Sequence, residues 1–313
     1  MKIVDFSSRE LKKIPELQLP SQVTNTEARL YLYNDKNKWD KKKNILKIFY
    51  DNRSFDFKPY INEELLQSDM NRNVFHEDRF TYTKPYIIAE LLLHKDEINI
   101  DELILPTGFV SIDKKVSGYI MPFIESSINM SLLLNNPNVA LKEKLELLKK
   151  IYEILSKIEK VKSLEGNFYL GDIHESNFII DVLEQKVKVV DMDSCYINDS
   201  AVPVSRFLFN NFNLDYLQHK YKMTEDDRVI PSHNAHVLCF LYMLLNTLSG
   251  EKSYKWGIEE HYLYLNCLEK MGMNKEVIEV FNTMYDSSPK LDFDINLLNA
   301  IDSTKNYSLQ YRK

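Results

Sequence analysis

Glycine is absent from the first 107 residues; all seven glycines lie at or after Gly108. That excludes any glycine-rich phosphate-cradling loop from the N-terminal third, because every backbone N–H there is flanked by a side chain. Cysteine is scarce as well. Cys195, Cys239 and Cys267 are odd in number and widely spaced, which argues against a disulfide framework or a zinc site and points to a reducing compartment, the cytoplasm. The longest apolar run, around Ala235–Leu248, falls short of the ~20 residues a membrane span requires. The N-terminus, MKIVDFSSRELKKIPEL, lacks the unbroken apolar core of a signal peptide. Positive charge is not in excess either: a net charge of −6 leaves no global basic footprint for nucleic acid or anionic lipid. The expectation is a chain with no nucleic-acid partner and no membrane, free of internal repeats and low-complexity segments.

What is present is the composition of a globular protein. At 313 residues, 44% hydrophobic and 27% charged, the chain suits one large domain or two lobes of roughly 100–200 residues each. Residues 1–20 read as helix or strand. Leu17–Thr24, Ala28–Tyr33 and Asn44–Tyr50 are strand candidates, and the lysine run Lys41–Lys43 between the last two reads as a solvated hairpin tip. Lys47 sits in the third strand between apolar pairs. Residues 51–83 form a long polar spacer. Lys84–Lys95 follows a helical pattern, with Ile87, Leu91 and Leu92 on one face and Glu90 among them. ELILPTGFV and VSGYIMPFI come next. Leu141, Leu145, Leu148, Tyr152, Leu155 and Ile158 then mark an amphipathic helix over Val139–Val161, with Asn138 as its cap. Ala235–Leu248 is apolar nearly all round, so it should be a fully buried helix stopping at Ser249-Gly250. Residues 258–271, 274–285 and 293–302 read as three short helices.

The stretch with the most chemistry is Tyr169–Ser194, YLGDIHESNFIIDVLEQKVKVVDMDS. Asp172, Asn177 and Asp191 fall on short loops bounded by the β-prone runs FII and KVKVV. An aspartate followed five positions later by an asparagine, then by an aspartate closing an apolar strand, is what phosphoryl transfer requires. One carboxylate orients or deprotonates an acceptor hydroxyl; the amide oxygen and the second carboxylate hold the Mg²⁺ that bridges nucleotide phosphates.

GDIHESN resembles the catalytic loop of the protein-kinase-like fold, and VVDMDS resembles its metal-binding strand end in the Asp-x-Asp-Ser variant of some bacterial kinase-like proteins. The resemblance extends over roughly residues 20–302. It implies an α+β, bilobal fold: an N-lobe at 1–124 with a small antiparallel sheet and a regulatory helix, and a larger α-helical C-lobe at 125–313. By carry-over, Lys47 grips the α/β-phosphates of ATP and Glu90 is its partner, with Glu64 in reserve. Met121 guards the adenine pocket, with Pro122 and Ile124 as hinge positions; proline keeps the carbonyl that position uses. Asp172 orients the acceptor, and His174 stands beside it. Asn177 and Asp191 are Mg²⁺ ligands, while Asp193 is a second metal ligand or a turn residue.

Three departures shape the functional expectation. Leu170-Gly171 precedes Asp172 where many kinases have His-Arg, so activity should not depend on phosphorylating Ser200 or Ser205. No Ala-Pro-Glu anchor follows the long segment after Asp191. The first hairpin has no glycine, and Thr24, Asn25 and Thr26 are left to cover the nucleotide with side chains. The leading expectation is an ATP- and Mg²⁺-dependent kinase acting on Ser/Thr hydroxyls of a protein. The alternatives are a small-molecule phosphotransferase of aminoglycoside/choline-kinase type, a pseudokinase serving as a binding module and, more remotely, an enzyme that transfers AMP.

Overall fold

Short runs rich in Ile, Val, Tyr and Phe near the N-terminus build a sheet. The computed structural model describes residues 2–17, 28–34, 43–50, 80–161, 168–197, 200–201, 220–221, 230–286 and 290–309. The N-terminal elements are β1 (Ile3–Phe6), α1 (Ser8–Leu11), β2 (Ala28–Asn34), β3 (Lys43–Phe49), α2 (Phe80–Leu93), α3 (Lys95–Ile98), β4 (Gly108–Ile112) and β5 (Lys115–Pro122). They are followed by β6 (Ser127–Asn129), α4 (Met130–Leu134), α5 (Leu141–Ile158), β7 (Tyr169–Leu170), β8 (Phe178–Asp181), β9 (Lys186–Val189), β10 (Cys195–Ile197) and β11 (Ser200–Ala201). α6 (His233–Ser249), α7 (Ile258–Lys270) and α8 (Lys275–Thr283) complete the set. The arrangement is a mixed α+β fold with an antiparallel-rich sheet first and helices after it.

The main sheet has the order β1-β4-β5-β3-β2. Only β1 and β4 run parallel; the β2–β3, β3–β5 and β4–β5 pairs are antiparallel. Both faces are apolar, so both are covered. Ile88 and Ala89 of α2 pack with Phe49, Phe109, Tyr119 and Met121 on one side. Leu46, Ile48, Val110 and Ile120 meet Val4, Phe6, Leu11 and Ile14 on the other. The expected strand Leu17–Thr24 enters only through an isolated bridge from Glu16 to Tyr31 and the Leu17 N–H bonded to the Leu30 carbonyl at 2.8 Å. Its remaining residues lie outside the described ones, as do residues 51–79.

α6 is the axis of the helical half. It is buried from Ala235 to Ser249, capped by Ser232 and closed by Gly250 in the left-handed conformation at φ 73°, as its all-round apolar sequence requires. α5 packs its Leu145, Leu148, Ile151 and Leu155 into the same core. This helix is shorter than Val139–Val161 and its cap position is Ala140, which makes no side-chain bond; Asn138 is not the cap. The last expected helix, 293–302, is a 3-10 turn over Ile295–Ala300. Two three-stranded sheets, β11-β10-β7 and β6-β8-β9, accompany the main sheet. No helix among the described residues is long and apolar enough to cross a membrane.

Candidate active site

The site forms where β3, α2 and the ends of β7 and β9 meet. Lys47 is opposite Leu30 on one side and Tyr119 on the other, which places it mid-sheet. Asp172 stands two residues past the end of β7 at Leu170, and Asn177 ends the 3-10 turn Glu175–Asn177 that opens β8. Asp191 follows β9 and adopts a left-handed backbone, φ 62° and ψ 53°, which few residues besides glycine, asparagine and aspartate enter at low cost. Backbone bonds stitch the two loops together: the Val190 N–H donates to the Asn177 carbonyl at 2.9 Å, and the Gly171 N–H to the Ser194 carbonyl at 2.5 Å.

Four charges converge here. Lys47 Nζ is ion-paired with Asp191 Oδ1 and lies 2.6 Å from Asp193 Oδ2. Lys84 Nζ of α2 reaches Asp193 Oδ1 at 2.9 Å. Both ammonium groups also stand over the Phe49 ring, at 5.3 Å for Lys47 and 5.6 Å for Lys84, a favourable cation–π placement. The Asp193 side chain is fully buried, whereas that of Asp191 is 36% exposed. Burial pushes the Asp193 carboxyl up, but Lys47 and Lys84 outweigh it and hold the group well below its ordinary value. Burial, and then the charge of Asp193, move Asp191 the other way and raise it. Burial and the neighbouring Asp193 likewise raise Tyr119, whose hydroxyl donates to Asp193 Oδ2 at 3.2 Å.

Asp172 is held from two sides. The Asn177 amide donates to its backbone carbonyl at 2.9 Å and to Oδ2 at 3.3 Å; His174 Nε2 lies 3.4 Å from the same Oδ2. His174 Nδ1 accepts the Ser176 N–H at 3.2 Å, so in the neutral ring the proton resides on Nε2 and faces Asp172. Burial raises the Asp172 carboxyl, yet the hydrogen bond and charge of His174, the charge of Lys84 and the Asn177 amide leave it below its ordinary value. Burial lowers His174, and its bond to Asp172 more than reverses this.

Lys47, Asp172, His174, Asn177, Asp191 and Asp193 are therefore brought together. Met121 and Pro122 are opposite Ile45 and Asn44 at the end of β5, and Ile124 and Val190 each pack against the apolar cluster that contains Met121. Glu90 is on α2 with its carboxylate 3.3 Å from His94 Nε2. Thr24, Asn25, Thr26, Glu64 and Ser205 lie outside the described residues. Lys84, Tyr119 and His236 carry no motif and were not expected. Lys84 had a legible signal: it shares the helical stripe of Ile87, Ile88 and Leu91, all fully buried, and a lysine on such a stripe needs a buried partner.

Among the described residues, no three His, Cys, Asp or Glu side chains are placed to hold a metal ion. The donors left open are Asp191 Oδ2 and the Asn177 amide oxygen, which accept no hydrogen bond from described residues. One carboxylate and one amide fit Mg²⁺, which keeps several waters and takes the rest of its shell from phosphates. No protein-family model and no curated protein matches the chain.

Proposed function

We propose that the protein is an ATP- and Mg²⁺-dependent phosphotransferase of protein-kinase-like, bilobal architecture, with residues 1–124 and 125–313 as its lobes and a Ser/Thr hydroxyl of a protein as its acceptor. The observation that carries this reading is the meeting of Lys47 with Asp191 directly beside the Asp172–Asn177 loop. In this reading Lys47 binds the phosphates, Asn177 and Asp191 hold Mg²⁺, and Asp172 orients the acceptor hydroxyl. Mg²⁺ when bound neutralises charge on the β- and γ-phosphates. The apolar group of Ala28, Met121, Ile124 and Val190 offers a wall of the right chemistry for an adenine ring. What remains for the chain is positioning, which is most of what phosphoryl transfer asks of a protein. The bond between His174 and Asp172 also favours a second reading, a small-molecule phosphotransferase, since enzymes of that kind often carry histidine at this place.

The test is incubation with γ-labelled ATP and Mg²⁺, using wild type, Asp172→Ala and Asp191→Ala, with lysate proteins and with a metabolite extract. Labelled Ser or Thr that disappears in both folded variants supports the protein kinase. Label confined to a small metabolite moves the conclusion to the second reading. If wild type labels nothing and Mg-ATP does not raise its melting temperature, both readings fall, and a binding module without nucleotide is left.

A further inference from the structure

Asp193 has no coordination position to spare. Oδ2 accepts from Lys47 Nζ at 2.6 Å and from the Tyr119 hydroxyl at 3.2 Å. Oδ1 accepts from Lys84 Nζ at 2.9 Å and from Ser194 Oγ at 3.3 Å. A carboxylate has about four acceptor sites, and here each oxygen meets two protein donors in a fully buried setting. Asp191 differs in kind, with one oxygen on Lys47 and the other open.

Charge counting gives the consequence. Among the described residues in this contact, Asp191, Asp193, Lys47 and Lys84 sum to zero, and removing Lys84 makes the cluster more negative by one charge. That charge would face an incoming polyphosphate from a low-dielectric wall, where repulsion is strongest. A carboxylate that has lost one of two cations would also draw Lys47 toward itself and away from Asp191. We propose that Lys84 is a positioning residue of the nucleotide site: it neutralises Asp193, which serves as the buried anchor of Lys47 rather than as a metal ligand, so that Lys47 and Asp191 meet Mg–nucleotide with the Asp193 charge compensated. The nucleotide half of this inference rests on the phosphotransferase reading above; the Lys47–Asp193–Lys84 anchor does not.

Five proteins test it: wild type, Lys84→Met, Asp193→Asn, the double variant and Lys84→Arg, the last as the charge-preserving control. Binding of Mg²⁺ with a non-hydrolysable ATP analogue is measured by calorimetry, and unfolding of the unliganded proteins by urea. Lys84→Met should weaken nucleotide binding by about tenfold or more, as expected for an uncompensated buried charge beside the ligand. The double variant, with the charge balance of wild type restored, should return to within about threefold of wild type, and Lys84→Arg should stay there throughout. A group that is only structural would move the urea midpoints and leave the nucleotide affinity of the folded variants unchanged. The inference is overturned if the double variant binds as weakly as Lys84→Met, or if Lys84→Met binds like wild type. Should Lys84→Met fail to fold alone, the double variant decides, because the anchor requires that it fold and bind. If wild type binds no Mg–nucleotide, the phosphotransferase reading fails, and urea judges the anchor: a double variant no more stable than Lys84→Met sinks it, while recovered stability sustains it.

Discussion

The Leu170 N–H donates to His236 Nε2 at 2.8 Å, tying the strand that leads into Asp172 to the first turn of the central helix α6. Because Nε2 accepts, the ring proton resides on Nδ1, which lies 3.2 Å from Glu159 Oε1 at the end of α5. Glu159 Oε2 takes His233 Nδ1 at 2.8 Å, and His233 Nε2 reaches Asp292 at 2.9 Å. One carboxylate therefore orients two imidazoles, and the buried one holds the backbone ahead of the candidate catalytic loop.

Replacing His236 with Phe should leave the Leu170 N–H buried without an acceptor and lower stability by about 1–3 kcal/mol. Gln offers a carbonyl oxygen in the same region and should lose less. Urea unfolding of the two variants decides the point; equal losses would mean that packing alone, and not the bond to Leu170, gives His236 its value.

The same network predicts a pH dependence. Burial opposes ionisation of Glu159, but the two histidines hold its carboxyl down at about 2, against an ordinary 4.5. A depressed carboxyl contributes stability that is complete above the ordinary value and fades as pH falls toward the folded one; this shift corresponds to about 3 kcal/mol. His233 is raised, chiefly by its bond to Glu159, so its contribution is complete below 6.5 and fades as pH rises past its elevated value. Burial lowers His236, so its contribution is complete above 6.5 and fades as pH falls. The network is therefore strongest near pH 6.5. Glu159→Gln should be less stable there and should flatten the fall between pH 4.5 and 2, as read from melting temperature against pH. A variant whose profile runs parallel to wild type would contradict the assignment.

Some of this was legible in the sequence, and the reasons are physical. α6 was readable because 15 consecutive residues from Ala235 to Ser249 are buried, so its composition had to be apolar. α5 was readable because its stripe recurs every three or four residues, but its true N-cap has no side-chain signal to read. The Asp172, Asn177 and Asp191 spacing survived because short loops between short strands leave little room for those side chains to separate. Lys84, Tyr119 and His236 were not legible as site residues. Each acts through a contact across more than 60 positions of chain, as the separation of 66 positions from Leu170 to His236 illustrates. Propensity and spacing carry no information at that range. Asp193 was read as a metal ligand or a turn residue; its two lysine partners appear only once α2 is packed on the sheet.

Gly118 is required where it stands. A Cβ there would overlap the Lys47 carbonyl oxygen and crowd the Ile48 Cα at 3.0 Å, all backbone atoms of β3. Backbone cannot swing aside as a side-chain end can, so Gly118→Ala should push β5 from β3 at Lys47 itself. The expected loss is about 2 kcal/mol or more, with weakened nucleotide binding on the phosphotransferase reading. Gly257→Ala is the control, since its Cβ would meet only the Glu260 carboxylate at 3.7 Å. Equal unfolding midpoints for the two variants would refute the close-approach argument.

His174 does two separable jobs. Its Nδ1 caps the turn that carries Asn177 by accepting the Ser176 N–H, and its Nε2 faces Asp172. Asparagine is a good cap but is too short to reach that carboxylate, whereas alanine does neither job. His174→Asn should therefore keep most of the stability that His174→Ala loses, about 1 kcal/mol for an unmade cap. Both substitutions should let the Asp172 carboxyl rise, because the contact with His174 is the largest influence holding it down against burial. Carboxyl chemical shifts of Asp172 followed through a pH titration read this directly. If the Asp172 midpoint stays fixed in both variants, His174 acts only as a cap, and the orientation of Asp172 falls to Asn177 alone.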